Sequence, residues 1–227
     1  MRRLRLPLVL ALAIATLLAH AGTSLALFTD SKAASANNFS AGTWAFYLHN
    51  NPTPPTANTT AQINLTMNAT TPTATTLWQY SSNCSVRTGR RLTRAAPSPN
   101  QATVCNYENW RTPALAATLT LSGAPTVDIW SASDTGTANR TGGIVAYLRD
   151  YNVAAGTYTE IANGLYNTTY AVGRTFYHYP ITVNVATAYT LAVGHQLELK
   201  VVASNAYQSN MLVAYDTTTY SSFLRVR

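Results

Sequence analysis

His195-Gln196-Leu197-Glu198-Leu199-Lys200-Val201 is the stretch that most clearly decides the fold, because apolar and polar residues alternate along it. Successive side chains of a β-strand point to opposite faces, so the leucines and the valine share one face. The glutamine, the glutamate and the lysine share the other face. The alternation predicts a strand that packs one face on a hydrophobic core.

The same alternation recurs along the chain and predicts about ten short strands. Glycine-rich turn signals separate the segments, among them Thr141-Gly142-Gly143, Asn163-Gly164 and Val193-Gly194. Short strands at such spacing favour an antiparallel sandwich. We predict an all-β protein with a single antiparallel β-sandwich or jelly-roll domain at residues 27–227.

The composition supports a β-rich globular domain. The chain has 227 residues, of which 47% are hydrophobic and only 10% are charged. Average soluble domains carry about 25% charged residues, and disordered chains combine high charge with low hydrophobicity. A disordered chain is therefore excluded, and the 14 tyrosines favour strands over helices.

The N-terminus has the order of a secretory signal peptide. Arg2, Arg3 and Arg5 precede the apolar run Leu6–Leu18, which small residues follow. The run is short for a membrane span of about 20 residues, although an uncleaved anchor helix is the alternative. Cleavage after either Ala21 or Ala26 fits the pattern. We expect a signal peptide at 1–26 and a mature chain that is secreted, extracellular or at the cell surface, and outside the membrane.

A resemblance to a known family begins at the second cleavage site. Ala26-Leu27-Phe28-Thr29-Asp30, followed by Asn37-Asn38-Phe39-Ser40-Ala41-Gly42-Thr43-Trp44, resembles the start of TasA/camelysin-type secreted proteins. The resemblance implies processing by a SipW-type signal peptidase between Ala26 and Leu27. It also implies a biofilm fibre subunit whose mature N-terminal segment completes the sheet of the next subunit. The assembly strand would carry Leu27, Phe28, Asp30 and Phe39.

The C-terminal third resembles other extracellular β-sandwiches. The stretch from Ala192 through Asp216 is similar to the closing strands of bacterial extracellular jelly rolls. The tail of X-prolyl dipeptidase-like β-sandwiches shows the same Gly-His-x-Leu-x-Leu pattern. This resemblance implies a fold and no activity.

Cys84 and Cys105 are the two cysteines of the chain. In an exported protein such a pair favours a disulfide, whereas two thiolates alone supply half of a zinc site. The bond would close a loop of about 20 residues and stabilise the fold by about 3 kcal/mol in the chain-entropy model. We interpret the surrounding segment, at about 81–113, as a disulfide-pinned surface insertion.

The same segment carries a cluster of arginines. Arg87, Arg90, Arg91 and Arg94 lie close together in sequence and indicate a patch for an anionic polysaccharide or cell-surface glycan. No aromatic residue lies between them, so the cluster is not typical of a base-stacking platform. A solvated charged loop is the alternative interpretation.

The sequence contains no recognisable catalytic motif. After the predicted signal, histidine occurs only at His49, His178 and His195, and the acidic residues are scattered. Neither metal-protease spacing nor a nucleophile elbow is present. We therefore expect no enzymatic activity and no cofactor or metal.

Two functions fit these observations better than a third, a camelysin-like protease, which the family resemblance also raises but for which the sequence shows no metal-ligand spacing. The first is a structural subunit of an extracellular matrix, biofilm fibre or pilus-like filament, with other copies of itself as partners. The second is an extracellular glycan-binding module or adhesin. The export signal and the low charge fit both, and the N-terminal resemblance favours the first.

The mature protein is expected to begin at Leu27. Ser24-x-Ala26 precedes Phe28-Thr29-Asp30, which is the order that the TasA-type resemblance implies. Mass spectrometry of the secreted protein measures the start directly. A mature chain that begins at Gly22 would contradict the prediction and point to the ordinary signal peptidase.

Overall fold

A computed structural model describes residues 44–50, 65–75, 84–86 and 89–226. This part of the chain contains strands and no helix, and no helix within it is long and apolar enough to cross a membrane. The strands are β1 Trp44–His49, β2 Leu65–Asn68, β3 Ser85–Val86, β4 Gly89–Leu92, β5 Tyr107–Arg111, β6 Leu119–Gly123, β7 Thr126–Ser133, β8 Arg140–Asn152, β9 Thr157–Tyr170, β10 Tyr177–Thr182, β11 Val185–Leu191, β12 Gln196–Ala203, β13 Met211–Ala214 and β14 Phe223–Val226.

Twelve of the strands form one sheet in the order β3-β4-β13-β7-β14-β1-β2-β5-β12-β8-β9, with β10 paired to β7 beside this path. The remaining two, β6 and β11, form a second sheet. The strand pairs are antiparallel except for β2 with β5. The prediction of an antiparallel all-β protein is therefore confirmed.

One hydrophobic core takes side chains from both sheets. It contains Leu121 of β6 and Leu191 of β11 together with residues of the larger sheet, such as Trp110 and Leu199. The indole of Trp110 is fully buried and meets the ring of Tyr215 edge to face at 4.9 Å. The two sheets thus share their apolar faces, as layered β folds require.

The alternation along β12 is confirmed, but its polar face is covered. Leu197, Leu199 and Val201 are fully buried in the core. Glu198 and Lys200 point to the opposite face and are also buried, with 0% and 4% of their surface exposed. Because these polar side chains are buried, other residues must cover the outer face of β12.

The interpretation of the segment at 81–113 as a surface insertion is wrong for its two longer strands. β4 pairs with β13, and β5 pairs with β12 and β2 inside the larger sheet. Glu108 and Trp110 of β5 are fully buried. The connection between β4 and β5, residues 93–106, is the part that lies outside the strands, and we call it the covering loop.

Two of the predicted turns are also wrong. Gly142 and Gly143 lie within β8, and Gly164 lies within β9. A Cβ atom at Gly142 would lie 2.3 Å from Met211 Sδ, and one at Gly164 would lie 2.0 Å from the Thr182 carbonyl oxygen. These glycines therefore allow close packing of strands rather than a change of chain direction.

The predicted disulfide between Cys84 and Cys105 is present, with the two Cα atoms 5.3 Å apart. It joins the start of β3 to the end of the covering loop. The predicted signal peptide, its cleavage site at Ala26 and Leu27, and the assembly residues Phe28, Asp30 and Phe39 lie outside the described residues, as does Arg87.

Replacing both cysteines, Cys84→Ser with Cys105→Ser, is expected to lower the free energy of unfolding by about 3 kcal/mol, because the unfolded chain gains the freedom that the cross-link removes. Denaturant titration measures the change, and the reduced wild type is the matched control. Equal midpoints for the oxidised wild type and the double variant would contradict the prediction.

Candidate functional site

A row of opposite charges crosses the outer face of the three strands β5, β12 and β8. Glu198 of β12 is in register with Arg111 of β5 on one side and with Arg149 of β8 on the other. Directly opposed residues of opposite charge stabilise a sheet. The row therefore places one guanidinium group on each side of a single carboxylate.

The carboxylate of Glu198 is fully buried, and both of its oxygens accept hydrogen bonds. Its Oε2 accepts hydrogen bonds from Arg111 Nε at 2.7 Å and from Asn109 Nδ2 at 3.1 Å. Its Oε1 accepts hydrogen bonds from Nε of Arg149, at 2.8 Å, and from Nη2 of the same residue. A buried charge is stable only when it is paired and hydrogen-bonded, and both conditions are met here.

Lys200 adds a third cation beside this row. Its ammonium group donates to the carbonyl of Gln101 and lies 4.2 Å from the ring centre of Tyr107. Burial lowers the pKa of Lys200 to about 8, and Arg149 acts in the same direction, while Glu198 opposes the shift. Three cations against one carboxylate give 3 − 1 = +2 when all four groups are charged.

Tyrosine rings support the two arginines from the side. The guanidinium carbon of Arg111 lies 3.8 Å from the ring centre of Tyr151, and that of Arg149 lies 4.0 Å from the ring centre of Tyr158. The two rings stack on each other at 4.7 Å. These cation–π contacts hold the guanidinium planes in place and occupy the ring faces.

The covering loop closes the site from above. Its Pro99 carbonyl accepts a hydrogen bond from Arg149, and its Gln101 carbonyl accepts one from Lys200. A cavity of about 200 Å³ remains between the loop and the sheet. We call it the charged pocket, and its lining includes Gln101, Asn109, Arg111, Arg149, Tyr158 and Lys200.

A second concave feature lies at the edge of the larger sheet. We call it the edge groove; it has a volume of about 560 Å³ and is lined by residues 160–163 of β9 together with Asn184 and residues 186–189, most of which lie in β11. Ile161, Ala162 and Tyr189 pack partly against the core beneath it. Ala186 and Ala188 leave the groove open because their side chains are small.

Both strands that line the edge groove are edge strands. Among the described residues, β9 pairs only with β8, and β11 pairs only with β6. Each pairing is irregular near the groove, with register shifts at Leu148/Arg149 and between Val185 and Tyr189. Such irregularities are common at sheet edges and at functional sites.

The structure separates the predicted arginine cluster. Arg90 is buried, and its Nε lies 3.3 Å from Oε2 of Glu108, so the prediction of an exposed patch is wrong for this residue. Burial raises the pKa of Glu108 to about 7, although Arg90 opposes the rise. Arg91 instead pairs with Asp134 at 2.8 Å, and Arg94, which is exposed, donates to a backbone carbonyl.

Each histidine of the described part lies beside an aspartate. His49 and His195 are hydrogen-bonded through Nδ1 to Asp216 at 2.8 Å and to Asp150 at 2.7 Å, respectively. His178 is 3.4 Å from an aspartate carboxylate. In the ranges that the structure describes, no group of three or more His, Cys, Asp or Glu residues is arranged to hold a metal ion.

Sequence patterns did not reveal the charged pocket because its residues come from four strands and the covering loop. One signal was available: a chain with so few charges places Glu198 and Lys200 on the same face of its clearest strand. The partners Arg111 and Arg149 lie far away in sequence. Only the pairing of β5 and β8 with β12 brings them together.

Solved structures share the fold of this chain. An aminopeptidase from a marine sediment archaeon of the Thaumarchaeota matches with a TM-score of 0.59 and 10% identity, over 82% of this chain and 36% of that one. A CocE/NonD family hydrolase from Staphylococcus aureus matches with a TM-score of 0.54 and 10% identity, over 82% of this chain and 36% of that one. No family model matches the sequence, and no curated protein matches it significantly.

These similarities concern the fold alone. This chain spans 36% of the length of the two hydrolases, and the activities in their names belong to those whole proteins. Unrelated functions recur on the same β architecture, so the fold does not decide between catalysis, binding and assembly.

The depressed pKa of Lys200 predicts how stability depends on pH. The folded protein releases this proton near pH 8 and the unfolded chain near 10.5, so the free energy of unfolding rises with pH across that interval. Relative to Lys200→Met, the wild type should gain about 3 kcal/mol between pH 7.5 and pH 10.5. Denaturant titrations at both pH values measure the difference. Parallel pH profiles for the two proteins would refute the prediction.

Proposed function

We propose that this protein is a secreted structural subunit that assembles into an extracellular fibre by strand addition at the edge groove. The observation that carries the proposal is the groove itself, which lies between β9 and β11, and within the described part of the chain each of these strands has one side without a paired strand. Unpaired N–H and C=O groups along a strand edge are a template for a further strand. An added strand would satisfy them.

The shape and chemistry of the groove suit an extended segment. Residues 160–163 of β9 and 186–189 of β11 line the groove, and both strands continue beyond it, so an incoming strand would find enough backbone for hydrogen bonds to give affinity. The exposed Ala186 and Ala188 leave room for incoming side chains. Ile161 and Tyr189, which are partly buried, offer apolar contacts at the base.

The donor in this proposal is the predicted N-terminal segment, Leu27–Ala36, of a neighbouring copy. Ten extended residues span about 33 Å, which matches the length of a long strand. Its first two residues, Leu27 and Phe28, are apolar and supply anchors for the groove. Donation from one copy to the next is a head-to-tail contact, so repetition gives an open filament rather than a closed dimer.

A second candidate function is binding of an extracellular glycan without enzymatic activity. The charged pocket favours it, because the pocket is concave and combines an excess of positive charge with amide and hydroxyl groups. A fibre subunit of a matrix and a glycan-binding module are compatible functions, since each would use a different part of the surface.

Blocking the groove should prevent assembly without unfolding the protein. Ala186→Trp places a large side chain in the groove and is expected to abolish fibres in negative-stain electron microscopy. The matched control, Ala154→Trp, changes an exposed residue in the turn between β8 and β9 and should leave fibres intact. A variant that lacks Leu27–Ala36 should remain monomeric.

A peptide test separates donation from other contacts. The truncated variant should bind a synthetic peptide of residues 27–38, and Ala186→Trp in the same background should weaken that binding at least tenfold. Fibres of normal width from the truncated protein, or from Ala186→Trp, would refute assembly through the edge groove.

A further inference from the structure

We infer that the charged pocket binds the anionic group of an acidic saccharide, with Arg111, Lys200 and Asn109 as its hydrogen-bond donors. The inference rests on the second candidate function, glycan binding, and deepens it: it names the ligand class of a site that the proposed fibre contact does not use. The relevant groups are the carboxylate of a uronate residue and the sulfate of a sulfated sugar, which both carry one negative charge on oxygens that accept hydrogen bonds from guanidinium and ammonium groups.

The balance of charge around the pocket favours an anionic ligand. Arg111, Arg149 and Lys200 face one carboxylate, that of Glu198, which leaves an excess of two positive charges beside a cavity. The side chains of the two arginines are 9% and 5% exposed, so water screens them weakly. The electrostatic attraction between these cations and an anion in the cavity is therefore stronger than it would be at a solvated surface.

Several N–H groups that line the charged pocket can donate further hydrogen bonds. Nη1 of Arg111 has no hydrogen-bond partner among the described residues. The ammonium of Lys200 gives one hydrogen bond of a possible three, and the Asn109 amide gives one of two. These groups line the same cavity, so they offer several N–H donors to one oxyanion.

The cationic side chains of the charged pocket are preorganised. Glu198 and the tyrosine rings hold the two guanidinium groups, and the Gln101 carbonyl holds Lys200. The disulfide at Cys105 anchors the end of the covering loop that carries Gln101. A site whose donors are already fixed loses little conformational entropy on binding.

The arrangement of the aromatic rings in the pocket favours a saccharide over a nucleic acid. Single-stranded nucleic acids are bound by free aromatic faces along a basic groove. Here the pocket rings already contact the protein's own cations: Tyr158 lies against Arg149, and Tyr107 lies against Lys200. A cavity of about 200 Å³ suits one anionic group, and the amides of Asn100 and Gln101 at its rim suit sugar hydroxyls.

Calorimetric titration of the full mature protein with trigalacturonate tests the inference. Neutral galactotriose is the matched control ligand, and a sulfated galactotriose distinguishes sulfate from carboxylate as the group that is bound. Lys200→Met should weaken binding of the acidic trisaccharide at least tenfold. Arg225→Met removes a cation outside the pocket and should leave the affinity unchanged.

A second variant guards against a loss of folding. Asn109→Asp replaces a donor with a carboxylate in the same shape, and it should also weaken binding at least tenfold while circular dichroism confirms the fold. Binding by the wild type should fall as the pH rises through 8, because Lys200 loses its charge. The other titratable or charged groups that face this lysine are Tyr107, Arg111, Tyr147, Arg149 and Glu198.

Three outcomes would overturn the inference. In the first, the wild type binds neither acidic trisaccharide. In the second, Lys200→Met and Arg225→Met weaken the affinity for the acidic trisaccharide equally. In the third, the wild type binds a thymidine oligonucleotide more tightly than the acidic sugars. The test is independent of assembly, because the pocket and the edge groove share no lining residue. A truncated, monomeric protein should bind the acidic trisaccharide as the full chain does.

Discussion

The carboxylate of Glu198 has no exposure to solvent, and a buried charge is stable only if cations and hydrogen-bond donors surround it. Arg111 and Arg149 provide both, one from each neighbouring strand. A slip of β12 by one residue would turn Glu198 into the hydrophobic core and turn the leucines outward. The ion-pair row and the leucine row therefore demand the same register of β5, β12 and β8, and the pocket depends on that register.

The sequence was sufficient to predict the fold class where one face of a strand meets the core and the other is polar. β12 is the clearest case, and its apolar residues are buried as expected. β5 reads Tyr-Glu-Asn-Trp-Arg, which hides a core strand because a buried glutamate, Glu108, interrupts the apolar face. Gly142 and Gly164 are typical of turns in the sequence but lie within strands, where a Cβ atom at either position would clash with a residue of another strand.

The candidate site was harder to predict, and the arginines show why. Arg90 and Arg91 are adjacent in β4, so their side chains point to opposite faces of the strand. Arg90 lies in the interior beside Glu108, and Arg91 forms a partly buried pair with Asp134. Proximity in sequence therefore produced no shared patch here. The cations that do meet, Arg111 and Arg149, become neighbours only through strand pairing, which local patterns do not encode.

β9 is the element that the pocket and the groove have in common, although no residue lines both. Tyr158 forms a wall of the charged pocket, and the residues from Glu160 onward line the edge groove. A strand with a neighbour on one side only opens more readily than a strand that is paired on both sides. A segment paired to the free side of β9 would therefore restrain Tyr158 and, through their cation–π contact, Arg149. Glu198 and the covering loop already hold Arg149 on the other sides, so this added restraint changes the pocket little, and assembly and pocket binding remain separable.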